Sequence, residues 1–180
     1  MTDAAADEFG TLERAGDVSI LRFERRLAQP RERVWRAITE DAHLAAWFPT
    51  TMEGPRRAGA ALRFSFRHGE APPFDGAVLA FDPPALLEIR WADDVLRFEL
   101  QADGEGVTIL RLAVTFPEHG KAARDAAGWH VCLDRLAVAM AVAVDDDDVV
   151  SGPSGRWRVV HGEYVERFGP EASTIGPPGG

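Results

Sequence analysis

The segment KAARDAAGWHVCLDRLAVAMAVAV, residues 121–144, reads as one long helix from the spacing of its apolar side chains. Ala122, Ala126, Trp129, Leu133, Leu136, Met140 and Ala143 recur at steps of three and four, which places them on one stripe. Lys121, Arg124, Asp125, Gly128 and Arg135 fall on the other side. A helix of this length spans roughly 36 Å at about 1.5 Å per residue. Its stripe is too apolar to face water, so a large apolar surface elsewhere in the chain must cover it.

That surface lies immediately upstream. Five strand candidates are separated by turn chemistry. Leu62, Phe64 and Phe66 alternate with Arg63, Ser65 and Arg67. Phe74 to Phe81 follows, with apolar residues on both parities, and Pro83-Pro84 ends it. Leu87, Ile89 and Trp91 alternate with Glu88 and Arg90, and Asp93-Asp94 is the expected tight turn. Leu96, Phe98 and Leu100 alternate with Arg97 and Glu99, and Asp103-Gly104 is a strong turn dipeptide. Leu110, Leu112, Val114 and Phe116 share one face of the last strand. Short turns between consecutive strands predict an antiparallel meander with one greasy face. Arg63, Arg67, Arg90 and Arg97 sit on its polar face and are expected to pair with Glu88 and Glu99.

Further upstream, Val18 to Leu27 is strand-like, and Gln29-Pro30 opens a short amphipathic helix carrying Val34, Trp35 and Ile38. A second short helix is expected from Asp41 to Phe48, stopped by Pro49. Two small helices, a meander and one long helix are the element order of a helix-grip α+β fold, in which a curved sheet wraps the helix and leaves a cavity. From Leu136 to Val144 the helix is apolar all round, which demands cover on its outer side as well. Trp157, Val160, Tyr164 and Phe168 repeat at helical steps before Gly169-Pro170, so an accessory helix over 156–169 is the expected cover. A homodimer contact through the C-terminal helices would meet the same need. The expected organisation is a mobile arm (1–16), with an edge strand as the alternative for its end, the grip domain (17–144), an acidic linker (145–155), the accessory helix (156–169) and a disordered tail (170–180).

GKAARDAAGWHVCLDRLAVAM and PRERVWRAITEDAHLAAWF together resemble the C-terminal helix signature and N-terminal helix pair of the SRPBCC, START-like proteins related to the heat-shock-ninety ATPase activator. WRVVHGEYVERFG resembles an extra helix of many bacterial members. The resemblance covers roughly residues 17 to 169. It implies a START-like, birch-pollen-allergen-like helix-grip fold around a pocket for an apolar small molecule. Many close members place Thr followed by His or Asp shortly before the long helix, where this chain has Ala113 and Val114. With Val114 facing inward, the pocket lacks a polar anchor.

The aromatic residues expected to line the cavity are Trp47, Phe48, Phe64, Phe66, Phe74, Trp91, Phe98 and Trp129. Leu112, Val114, Leu133 and Leu136 complete the lining. The bland alternative is a filled core. His130 is either a polar group at the cavity mouth or a helix histidine packed against a loop, and the absence of a recognisable orienting partner favours the second. Cys132 reads as a small packing residue. The Asp145–Asp148 run lacks the spaced ligands of a calcium loop and reads as a solvated charge run.

The 180-residue chain carries a net charge of −9. That balance disfavours nucleic acid as a partner. One cysteine rules out an internal disulfide and fits a cytoplasmic location. The longest strongly apolar run, Leu136 to Val144, is too short to insert across a membrane. No HExxH, GxSxG, CxxC, Walker or GxGxxG motif occurs, and the five histidines lack ligand-like spacing, so neither a metal nor another cofactor is expected. The expected function is binding of a lipid or an aromatic, polyketide-like molecule. The alternatives are a co-chaperone-like module and a cavity enzyme of cyclase or hydrolase type.

Overall fold

The computed structural model describes residues 8–141 and 155–177. Residues 142–144 of the expected long helix and all of the expected acidic linker except Gly155 lie outside the described residues. So does the Asp145–Asp148 run.

Seven strands form one curled antiparallel sheet: β1 (Thr11–Ala15), β2 (Val18–Leu27), β3 (Ala61–Phe64), β4 (Phe74–Asp82), β5 (Leu86–Trp91), β6 (Asp94–Ala102) and β7 (Thr108–Phe116). Their order is β1-β2-β7-β6-β5-β4-β3, so the meander runs backwards from β7 and the N-terminal pair β1-β2 joins it there. Helices α1 (Arg31–Thr39) and α2 (Asp41–Leu44) bridge β2 to β3. Helix α3 (Ala122–Ala141) lies over the sheet, and α4 (Gly155–Phe168) packs on α3. The alternation in the meander sets the faces. Leu110, Leu112, Val114 and Phe116 are all buried, opposite Leu96, Phe98 and Leu100 on β6 and Leu21 and Phe23 on β2. The outer face is knitted by ion pairs, including Arg97 with Glu88 and Glu99, Arg63 with Asp75, and Arg111 with Glu24.

The double parity of β4 resolves into a β-bulge. Val78 pairs with Ile89, Ala80 with Glu88 and Phe81 with Leu87, so the register slips at Leu79. The slip turns Leu79 outward, 44% exposed, and returns Phe81 to the inner face, where it meets Trp35 of α1 at 5.4 Å. Gly76, on the same face, is pressed by Phe64. An added Cβ would stand 2.4 Å from Phe64 Cε2 and 2.1 Å from the Arg90 carbonyl oxygen.

Four expectations need correction. The β5–β6 turn is Ala92-Asp93, since Trp91 pairs with Asp94. Asp94 is drawn into the strand because its buried carboxylate takes Lys121 Nζ at 2.7 and 2.8 Å. Residues 11–15 of the expected arm form the edge strand β1, the alternative reading of its end, tied down because the Gly10 amide donates to Tyr164 Oη at 2.7 Å and Phe9 packs on Tyr164. The expected tail instead forms a 3-10 turn at Pro170–Ser173 with Ala172 buried, and the Ile175 amide donates to the Gly120 carbonyl.

The third concerns the cover on α3. Arg156 lies beside Asp134 and Tyr164 beside His130, so α4 runs antiparallel to α3 and shields its N-terminal and middle turns. Val138 stays 64% exposed, beyond the reach of that cover among the described residues. The second short helix is also shorter than expected, ending at Leu44 before a run of turns.

Gly76→Ala is expected to destabilise the protein by about 1–3 kcal/mol, the usual cost of forcing atoms into a packed core. Urea unfolding monitored by circular dichroism measures this; an unchanged midpoint would contradict the crowding seen at this position.

Candidate functional site

Helix α3 presents different chemistry on two neighbouring flanks. Consecutive residues on a helix point about 100° apart, so Trp129 and His130 serve different neighbourhoods.

Trp129 turns toward the meander. Its ring lies 5.6 Å from Trp91 on β5 and 5.8 Å from Phe48, which follows α2. Trp91 also meets Phe74 at 5.2 Å and Phe66 at 6.3 Å. Phe74 stacks on Phe64 at 5.3 Å, and Trp47 joins Phe48 at 5.3 Å and Phe98 at 6.1 Å. The eight aromatic residues picked from the sequence therefore form one connected network, mostly of tilted and edge-on contacts. Trp47, Phe48, Phe64, Phe98 and Trp129 are buried, as are Leu112, Val114, Leu133 and Leu136. Phe66, Phe74 and Trp91 are half-buried, and they form the part of the network that solvent reaches. Both indole N–H groups near the α1–β3 connection are occupied. Trp47 Nε1 donates to the Ala37 carbonyl at 2.9 Å, and Trp91 Nε1 to Thr50 Oγ1 at 3.3 Å. Val114 faces inward, fully buried, while Ala113 is on the opposite parity. The inner face thus offers apolar contact there and no anchor for a charge.

His130 turns the other way, packing against helix α4 rather than standing at a cavity mouth or against a loop. It is fully buried between α3 and α4, with Nδ1 3.0 Å from Tyr164 Oη and the Phe9 ring 4.9 Å away. Its Nε2 is buried and has no hydrogen-bond partner among the described residues. Asp134, one turn along, brings Oδ1 to 3.8 Å of that nitrogen. Asp134 Oδ2 also pairs with Arg156 at 3.2 Å. The Glu8 carboxylate completes a group whose ligand-type atoms lie within 4.8 Å of one another. Burial lowers the His130 pKa below its ordinary value; Asp134 and Glu8 oppose the shift, while Arg25 and Arg156 add to it.

Arg25 belongs to this flank as well. It follows Leu21 and Phe23 on the inward parity of β2, so its guanidinium is buried. Nη1 donates to the Glu24 carbonyl, and Nη2 has no hydrogen-bond partner among the described residues. Desolvation lowers its pKa, partly offset by Asp134 and Glu8. The sequence held two signals for this cluster: an arginine at an inward strand position, and His130 with Asp134 at i and i+4. Cys132 is buried, and desolvation pushes its thiol up to about 12, so it stays protonated and packs as a small apolar group.

The curled sheet over a long C-terminal helix defines a helix-grip protein. Residues 28–141 match the family described as Activator of Hsp90 ATPase homolog 1-like protein, and the chain belongs to that family. Among solved structures, a conserved protein of unknown function from Enterococcus faecalis superposes with a TM-score of 0.73 at 18% identity, covering 88% of this chain and 90% of that one. CalU16 from Micromonospora echinospora gives 0.65 at 20% identity, covering 88% and 92%. DynU16, from the dynemicin biosynthetic locus, gives 0.61 at 26% identity, covering 69% of this chain and 48% of that one. No curated protein matches the sequence significantly. No helix among the described residues is long and apolar enough to cross a membrane.

The lowered His130 pKa has a pH consequence. An unfolded histidine takes up its proton near 6.5, while the buried one resists, so stability falls as pH drops below about 6.5 toward the folded value. Thermal melts between about pH 7 and pH 5 should show a steeper loss in the natural protein than in His130→Gln. Parallel curves would mean that His130 is not the group responsible.

Proposed function

We propose that this protein binds an apolar small molecule, a lipid or an aromatic, polyketide-like compound, against the aromatic network beneath α3. The observation that carries this reading is the half-buried trio Phe66, Phe74 and Trp91, backed by the buried rings of Phe48, Phe64 and Trp129. A core built only for stability gains from complete burial of each ring, at about 25 cal/mol per Å² of apolar surface. Here three large rings at the end of a continuous stack keep part of that surface uncovered, and an apolar guest would cover it. The chemistry around them suits an uncharged guest: the indole N–H groups of Trp47 and Trp91 are already bonded, and the inward position on β7 is Val114. The likeness to a protein of a biosynthetic locus is consistent with a natural-product ligand.

The ligand would lie across Trp91 with an edge against Trp129. The buried residues Leu112, Leu133 and Leu136 would act through the shape of the floor. Native mass spectrometry of protein purified without detergent, followed by titration with a neutral polycyclic aromatic and with a long-chain fatty alcohol, tests the reading. Saturable quenching of tryptophan fluorescence is expected. Trp91→Ala and Phe66→Ala should each weaken binding by about tenfold or more, the effect of losing about 1.4 kcal/mol of contact. Leu79→Ala, on the outer face, should leave it unchanged. Binding that tolerates both ring deletions would sink the proposal, as would the absence of saturable binding by either probe.

A further inference from the structure

We infer a divalent transition-metal site on the outer flank of α3, formed by Glu8, His130 and Asp134, remote in chemistry from the aromatic network. His130 and Asp134 stand one helical turn apart, a spacing that lets two side chains of one helix hold a single ion. Their ligand atoms are 3.8 Å apart, and all three ligand groups lie within 4.8 Å of one another. A tetrahedral ion with bonds of about 2.0–2.1 Å spaces its ligands by about 3.4 Å. Closing to that distance asks little of His130 and Asp134. Glu8 is exposed and precedes β1, so its side chain can rotate through the remainder.

The independent pointer to a ligand is His130 Nε2. The residue is fully buried, yet this ring nitrogen has no hydrogen-bond partner among the described residues and faces two carboxylates. A buried polar atom left unpaired carries a desolvation cost, and a metal bond to the lone pair would remove it. The other ring nitrogen is already held: Nδ1 sits 3.0 Å from Tyr164 Oη, which also accepts the Gly10 amide at 2.7 Å. That is the arrangement by which an outer hydrogen bond fixes the tautomer and ring orientation of a ligating histidine. With a proton on Nδ1, Nε2 is a free donor pair aimed at the carboxylates. Burial keeps the imidazole neutral, the form that binds metals.

One imidazole and two carboxylates suit a borderline ion such as Zn²⁺ and leave a coordination position for water. Arg25 and Arg156 oppose a dication at this place, and Arg156 competes for Asp134. Both carboxylates are therefore needed to make the local charge favourable. A bound ion would join the segment before β1 to α3 and add a third tie to the bonds that Phe9 and Gly10 make with the α3–α4 pair.

Zn²⁺ titrated into the chelator-treated full chain, followed by calorimetry, is the test. One equivalent is expected to bind. Glu8→Gln and Asp134→Asn should each weaken it by about 10–100-fold. His43→Gln, which removes an exposed histidine 3.5 Å from Glu40, should not. In parallel, nitrogen NMR of the histidine rings should show Zn²⁺ shifting Nε2 of His130. Glu8 is exposed, so its variant is expected to remain folded and keeps the test open if Asp134→Asn does not fold. Failure to bind one equivalent, unchanged affinity in Glu8→Gln, or an unshifted His130 ring each overturns the site. None of these outcomes bears on ligand binding at the aromatic network.

Discussion

The fold depends on one closure, the apolar concave face of the sheet against α3. Leu96, Phe98, Leu110, Leu112 and Val114 would all face water without the helix, and burying each such side chain contributes about 1.5–3 kcal/mol. The contact is non-directional, so something else must set where the helix lies. Two polar anchors do this. At its start, Lys121 is held by the buried Asp94 carboxylate and by Asp125. At its far end, Gln29 Nε2 donates to the Met140 carbonyl at 2.8 Å, while Thr108 Oγ1 donates to the Gln29 carbonyl at 2.8 Å. The helix is thus pinned to the start of β6 at one end and to the β2–α1 junction at the other.

A helix fixed in this way cannot roll, so each of its flanks faces a fixed environment. The Trp129 flank meets rings and aliphatic chains. The His130 flank meets an arginine that β2 turns inward and the tyrosine that α4 lays alongside. Water is excluded from both, but the consequences differ. Among aromatics, exclusion is favourable in itself. Among ionisable groups it raises the cost of every unpaired atom, as the orphaned nitrogens of Arg25 and His130 record.

Those two environments were not equally legible. The meander and α3 could be read because the period of two in β7 and the period of three to four in α3 are local properties of the chain. Much of the aromatic set could be read for the same reason, since Phe64, Phe74, Trp91, Phe98 and Trp129 lie on the inward parity of their own strand or helix, while Trp47, Phe48 and Phe66 lie just beyond the ends of theirs. The bulge at Leu79 could not, because Val78 and Leu79 are both apolar and only the pairing with β5 shows which of them turns out. The Ala92-Asp93 turn was missed by one residue because Asp94 looks like turn chemistry until Lys121 is brought beside it. The ionisable cluster joins Glu8, Arg25, His130 and Tyr164, which belong to four separate segments. No short window contains that information. The turn at Pro170–Ser173 was hidden likewise, being held by the contact with Gly120 rather than by its own sequence.

The pairing of β2 with β7 bears on how the chain acquires its shape. Ser19 sits opposite Phe116 and Leu27 opposite Thr108, so almost the whole meander separates the partners in sequence. Closing that loop is entropically expensive and comes before the reward of the contacts it makes, a pattern associated with slow folding. During synthesis, which proceeds from the N-terminus, β1 and β2 emerge long before β7 and have only each other to pair with. Until β7 arrives, β2 presents one open edge and the uncovered side chains of Leu21, Phe23 and Leu27, so the nascent chain is most vulnerable to aggregation in this interval.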